Sequence, residues 1–263
     1  MKKTLMLLII AFLLSACCAS AVAESADEAL SISVDGMSLD SLIELRNIIN
    51  NRIVELSRDE YIASLQPATE SDMTLESIFE DEAMALCVRD MLGKFSIKQT
   101  VTQAELDSIT SIAVFSSKNY GTFTSLKGIG HLRNLNSLGL YNGCCSGIRE
   151  LPDDFFTLAA LTKVDLYRSS LTTIPDEIGQ LINLKYLNIG KTGITVLPDS
   201  IGNLINLVSL DVSYTGLATL PMTIANCTSL TSLDISHTAI TVLPDAVYSL
   251  NLSSINMAGL PIK

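Results

Sequence analysis

A chain of 263 residues, 48% of them hydrophobic, is long enough for one sizeable folded unit with smaller appendages. The formal net charge of −11 is unevenly placed: Glu24 to Asp90 holds 16 acids against 4 bases, whereas Met91 to Lys263 holds 12 against 11. The acidity therefore belongs to the N-terminal part, and with no basic field to attract phosphates the composition argues against nucleic-acid binding.

Lys2 and Lys3 precede an apolar run from Leu5 to Leu14, the charged and apolar regions of a secretory signal. The next residues, Leu14, Ser15, Ala16 and Cys17, resemble the lipobox of bacterial lipoproteins. That resemblance implies a signal peptide 1–16 and a diacylglyceryl group on the Cys17 sulfur. Two acyl chains bury enough CH₂ groups for stable anchoring, which one chain does not. Two other readings stay open: ordinary cleavage after Ala21–Val22–Ala23, or an uncleaved membrane span from Thr4 to Ala23. Each of the three sends the rest of the chain out of the cytoplasm.

Residues 17–36 are small and acidic and read as a tether. The segment 37–73 is a helix with its linker: apolar residues at 39, 42, 45, 49, 53 and 56 recur three or four apart, with Ser38 as N-cap, until Pro67 interrupts. Residues 74–108 read as a helical cap. Within it the spacing over 75–92 predicts one helix, with Ile78, Phe79, Ala83, Leu86, Cys87 and Met91 on its apolar face.

From Ile109 to Lys263 a repeat takes over, with units beginning at Ile109, Leu135, Leu161, Leu184, Leu207, Leu230 and Leu252. Each unit has apolar residues at its first, fourth and sixth positions, as in Leu184, Leu187 and Ile189, so each contributes a short strand with one buried face. A second apolar cluster follows (Ile194, Leu197, Ile201 and Leu204 in that unit), interrupted by Pro198, with Pro152, Pro175, Pro221 and Pro244 at the matching places of other units.

This pattern resembles L-x-x-L-x-L-x-x-N-x-L, the leucine-rich repeat, over about 155 of the 263 residues. The form "LPDSIGNLINL" (197–207) is similar to the class of roughly 23 residues with short helical turns on the convex side, and 101–135 resembles the cap and first repeat of bacterial extracellular members. The resemblance implies an α/β fold: a right-handed solenoid of short parallel strands with convex helical turns. Seven strands spaced about 4.8 Å apart would span about 29 Å. One departure is consistent. Ser169, Thr192, Thr215 and Thr238 stand where the family has Asn, and their hydroxyls are expected to bond backbone groups of neighbouring turns in its place.

No catalytic motif, phosphate loop or metal-ligand spacing is present, and His131 and His237 are the two histidines, so neither enzymatic activity, metal nor cofactor is expected. Cys87, Cys144, Cys145 and Cys227 show no dense disulfide framework; the adjacent pair Cys144 and Cys145 can be read as inert loop thiols, as a disulfide partner set, or as a soft-metal site. Chemistry is sought instead on the solvent face of the strands. Asp165 belongs to a fifth-position stripe of Asp and Asn. Tyr141, Lys163, Tyr167, Arg168, Tyr186, Lys191, Tyr214 and His237 vary from unit to unit at the third, seventh and eighth positions. Tyr and Arg bury large area while keeping a polar end, so this concave face is the candidate site for a protein or peptide ligand. A structural envelope scaffold, or a glycan or hydrolase accessory, is the alternative. The last strand raises a further candidate, self-association through a C-terminal edge.

Overall fold

The computed structural model describes residues 73–261. The signal segment 1–16, Cys17, the tether 17–36 and the helix expected within 37–73 lie outside the described residues.

The N-terminal cap is built from short helices with side-chain caps. Thr74 opens the helix Leu75–Ile78, its Oγ1 accepting from the Ser77 N–H while the Ser77 Oγ accepts from the Thr74 N–H. Thr102 and Glu105 make the same reciprocal pair at the start of Gln103–Asp107. Between them lies the helix Glu82–Met91.

The single helix expected over 75–92 is therefore two. Phe79 is extended, and Asp81 (φ −93°, ψ 118°) restarts the helix by accepting the Met84 N–H at 2.8 Å through Oδ1. The break re-phases the buried face: Met84, Ala85 and Val88 join Ala83 and Cys87 inside, while Met91 turns out to 44% exposure. Asp81 is itself buried and uses Oδ2 to accept from the Thr124 N–H at 2.7 Å and the Thr124 hydroxyl at 2.6 Å. One carboxylate thus ties the cap to the first turn of the solenoid.

Seven strands follow: β1 (Ser111–Val114), β2 (Ser137–Leu140), β3 (Lys163–Asp165), β4 (Tyr186–Asn188), β5 (Ser209–Asp211), β6 (Ser232–Asp234) and β7 (Ser254–Asn256). They form one parallel sheet in sequence order, with register locked position for position, Lys163 opposite Tyr186 and Tyr186 opposite Ser209. The apolar first, fourth and sixth residues of successive units stack into one continuous core, Leu184, Leu187 and Ile189 on Leu207, Leu210 and Val212. Full burial of each such side chain contributes roughly 1.5–3 kcal/mol.

On the other side of the core each proline caps a 3₁₀ turn, with Pro152, Pro175, Pro198 and Pro221 preceding Asp153–Thr157, Asp176–Gln180, Asp199–Asn203 and Met222–Asn226. Pro244 precedes a one-turn α-helix, Asp245–Tyr248. Each proline lacks an N–H, but its carbonyl accepts the first turn bond, as from the Ile201 N–H to the Pro198 oxygen at 3.1 Å. An asparagine ladder does exist, at a place the repeat pattern did not assign it: Asn183 and Asn206, just before the first Leu of their units, donate through Nδ2 to the Ala159 and Ile182 carbonyls, both at 2.9 Å.

The hydroxyls behave differently from expectation. Thr192, Thr215 and Thr238 are buried, but each donates to the sixth-position carbonyl of its own unit, Ile189, Val212 and Ile235, at 2.7–2.9 Å. Each of these threonines therefore closes its own turn. Ser169 Oγ is buried without a partner. At the far end, Ile255 of β7 and Leu260 are partly buried against the core, and the Leu260 N–H donates to the Met257 carbonyl at 3.3 Å.

Candidate functional site

The concave face is shaped by a turn that follows each strand from β3 onward. In five consecutive units the fifth-position side chain accepts the N–H two residues on: Asp165 from Tyr167, Asn188 from Gly190, Asp211 from Ser213, Asp234 from Ser236 and Asn256 from Ala258, at 2.9–3.2 Å. Asn188 also donates to Asp165 at 3.4 Å, and Asn256 to Asp234 at 2.9 Å. Asp165, proposed from sequence as a ligand residue, is thus half-buried and engaged in its own turn. Burial pushes its carboxyl above the usual range, against the pull of the Tyr167 N–H, Asn188 and nearby Lys163.

The eighth residue that follows lies in the left-handed region, and so does Asn142, although its unit carries Gly139 at the fifth position. Asn142, Arg168, Lys191, Tyr214 and His237 have φ between 53° and 66°, and among the described residues they are the non-glycine residues with positive φ. For ordinary side chains that conformation costs roughly 1–2 kcal/mol per residue. It is held in place because the eighth N–H donates to the seventh carbonyl of the next turn: Arg168 to Gly190, Lys191 to Ser213, Tyr214 to Ser236 and His237 to Ala258, at 2.7–3.0 Å. All four side chains are exposed.

Two aromatic stacks stand on the face. Phe115 and Tyr141 lie with ring centroids 4.7 Å apart and planes 13° from parallel, and the Lys163 Nζ sits 5.7 Å from the Tyr141 centroid. The Tyr141 ring folds back over Gly139, where any Cβ would run into the ring. Tyr214 and His237 form the second stack, 4.3 Å apart and 18° from parallel, with the imidazole leaning over Gly259. Tyr186, directly beside Lys163 in register, is 48% exposed, and Tyr214 is 50% exposed.

Of the residues expected from sequence, the structure brings together Tyr141 with Lys163, and Tyr214 with His237; Arg168 and Lys191 follow one another along the eighth column. The two stacks themselves lie on separate strands, Tyr141 after β2 and Tyr214 after β5. Phe115, 64% exposed, was missed; it holds the same seventh position as Tyr141, which is the signal that would have found it.

The adjacent cysteines also find a place. Cys144 and Cys145 are buried thiols, and Cys145 Sγ lies 3.4 Å from both the Leu140 and the Tyr167 carbonyls. It therefore does at its turn what Thr192 does at the later one, and reaches the next turn as well. Burial pushes the Cys145 thiol up to about 12 and Cys87 up to about 11, so both are protonated and inert at neutral pH. A cavity of about 560 Å³ opens elsewhere, lined by Ile78, Lys127, Glu150 and Asp154. Its buried acid Asp154 is committed to the Gly128 and Gly130 N–H groups.

Residues 176–257 match the family model described as a leucine-rich repeat region. The fold is a leucine-rich repeat solenoid. Against solved structures, the repeats resemble a leucine-rich repeat protein of Leptospira interrogans, with 24% identity, a TM-score of 0.51, and coverage of 61% of this chain and 46% of that one. They also resemble a secreted internalin-like protein of Listeria monocytogenes, with 21% identity, a TM-score of 0.50, and coverage of 71% and 66%. At these identities the likeness is one of fold. In sequence, 63 residues are 38% identical to internalin H of Listeria monocytogenes, a stretch that is 24% of this chain and 11% of the internalin.

Proposed function

We propose that the repeats form an extracytoplasmic, non-catalytic binding module, held at the membrane by acyl chains on Cys17, whose concave face recognises a protein or peptide. The observation that carries this reading is the pair of solvent-exposed aromatic stacks on a rigid parallel sheet: Phe115 on Tyr141 at one end and Tyr214 on His237 at the other. Aromatic side chains already stacked lose little rotamer freedom on binding and bury large area, which is what a hot spot requires. Lys163, Tyr167, Arg168, Tyr186 and Lys191 fill the space between the stacks, with Asp165 setting the turn that presents Tyr167 and Arg168. The secreted internalin-like relative supports an extracytoplasmic placement.

The test is capture of a partner from envelope extract or host-surface protein by the full chain and by a variant with Tyr167, Tyr186 and Tyr214 all changed to Ala. Loss of capture with an unchanged circular dichroism spectrum is the expected result. Undiminished capture by the folded variant would turn the assignment toward a scaffold role. Acylation at Cys17 is checked separately: Cys17→Ala should move the chain from the membrane to the soluble fraction.

A further inference from the structure

The eighth-position column differs from the rest of the concave face in three ways. Its residues are held left-handed although Gly259, one turn later at the same position, takes that conformation without a side chain to strain it. Their backbones are fixed by hydrogen bonds to the next turn. And its cations are unpaired: among the described residues the ion pairs are Arg89–Asp90, Lys94–Glu105 and Lys98–Glu76, all in the cap, and none involves Arg168 or Lys191. Asp165 stands three residues before Arg168 and spends Oδ1 on the Tyr167 N–H; Lys191 has the neutral Asn188 at that place, and Asp211, beside Asn188 in register, spends Oδ1 on the Ser213 N–H. The column therefore runs Arg168, Lys191, Tyr214, His237: two free cations followed by one exposed aromatic stack, about 14 Å in three strand spacings.

Resting on the concave-face reading above, we infer that the partner contributes an extended acidic segment that lies along this column. Its carboxylates sit on Arg168 and Lys191, and an apolar side chain a few residues further on packs against Tyr214 and His237. An extended chain advances about 3.3 Å per residue, so four or five residues cover the column. Arg168 offers a planar fork for a carboxylate, and Lys191 a point charge beside it. Since the seats are already fixed in the free protein, the segment meets a preorganised surface.

The probe is a fluorescein-labelled octapeptide, Gly-Ser-Asp-Glu-Asp-Glu-Leu-Phe-amide, compared with the same peptide carrying Lys at its four acidic positions. Binding to the full chain is followed by fluorescence anisotropy. The acidic peptide should bind and the lysine peptide should not, and raised salt should weaken binding. The double variant Arg168→Glu with Lys191→Glu should weaken binding by about tenfold or more. Lys191→Gly should weaken binding by about threefold without lowering the melting temperature, because glycine accepts the left-handed seat; that variant separates lost contact from lost fold. No measurable binding of the acidic peptide, equal binding of both peptides, or indifference to the double reversal would each overturn the inference. Capture of a natural partner that needs Tyr167, Tyr186 and Tyr214 but ignores the double reversal also overturns it, and leaves the concave-face assignment standing. Capture that survives both sets of substitutions removes both.

Discussion

The first two strands of the concave face and the last four make their turns in different ways. β1 and β2 carry Ala113 and Gly139 at the fifth position and a large ring, Phe115 or Tyr141, at the seventh. From β4 onward the fifth residue is Asn or Asp, the seventh is Gly, Ser or Ala, and in the units of β4 to β6 the large side chain has moved to the eighth. At β2 the Tyr141 N–H donates to the Val114 carbonyl of the preceding turn at 2.8 Å, and the ring lies back over Gly139. In later turns that N–H is taken by the fifth side chain of the same unit. A side chain at the fifth position and a ring folded over it compete for one volume, so each turn chooses one. The unit of β3, with Asp165, Tyr167 and Arg168, is the changeover. The face thus has one end with the stacked rings of Phe115 and Tyr141 and another whose eighth column carries Arg168, Lys191, Tyr214 and His237.

The largest effect on this contrast is expected where its first end is fastened. Asp81→Ala removes a helix N-cap, worth about 1 kcal/mol. It also takes the acceptor from the Thr124 N–H and hydroxyl, about 1 kcal/mol more, since Thr124 is exposed and water can replace the carboxylate. Urea unfolding should report a loss of about 2 kcal/mol in total. Because solenoid turns couple chiefly to their neighbours, hydrogen exchange should accelerate first in β1 and β2, with β5 and β6 little changed. Uniform acceleration would mean that the solenoid unfolds as one unit and that its two ends are not energetically separable.

A second experiment converts one turn into the other. Gly139→Asp alone places a side chain in the volume of the Tyr141 ring and should cost about 2 kcal/mol. Adding Tyr141→Ser removes the ring and offers the new carboxylate an N–H to accept, as Asp211 does for Ser213. The double variant should recover about 1 kcal/mol relative to the sum of the singles. Additive costs would show that the two positions do not compete.

Much of this architecture is legible in the sequence because it is periodic. The unit length, the strand positions and the buried first, fourth and sixth residues all follow from recurrence, and the family match over 176–257 falls on the most regular units. What escapes is what happens once. The break at Phe79–Asp81 is hidden because apolar residues continue at helical spacing through it, and the bond that ties Asp81 to Thr124 spans 43 residues. Cys145 escapes because its unit has three extra residues, which shift it out of line with Ser169 and Thr192. The fifth-position acids were read as an exposed stripe, although an Asp or Asn two residues before a backbone N–H is a local turn signal in its own right. The candidate face is visible in the sequence only as variability. Which of its rings touch depends on χ angles and on the absence of a Cβ at Gly139, neither of which a repeat pattern encodes.

The smallest expected effect concerns the hydroxyls buried in the turns from β3 onward. The Thr192 hydroxyl donates to the Ile189 carbonyl at 2.8 Å, whereas in the preceding unit the Leu166 carbonyl is reached by the Ser169 N–H at 3.1 Å, leaving Ser169 Oγ buried and unpartnered. Thr192→Val keeps the shape and removes the donor, so it should lower stability by about 1 kcal/mol, the net worth of a typical internal hydrogen bond. Ser169→Ala removes a hydroxyl whose desolvation nothing offsets, and should leave stability unchanged or raise it by a few tenths of a kcal/mol. Thermal denaturation of the two variants side by side decides the matter. A melting temperature lowered equally by both would place the ladder role on burial of a hydroxyl as such, and would return Ser169 to the same rank as Thr192, Thr215 and Thr238. A drop for Thr192→Val alone would show that these positions act through one bond inside each turn, which leaves the joining of turns to the backbone and to side chains such as Asn183 and Asn206.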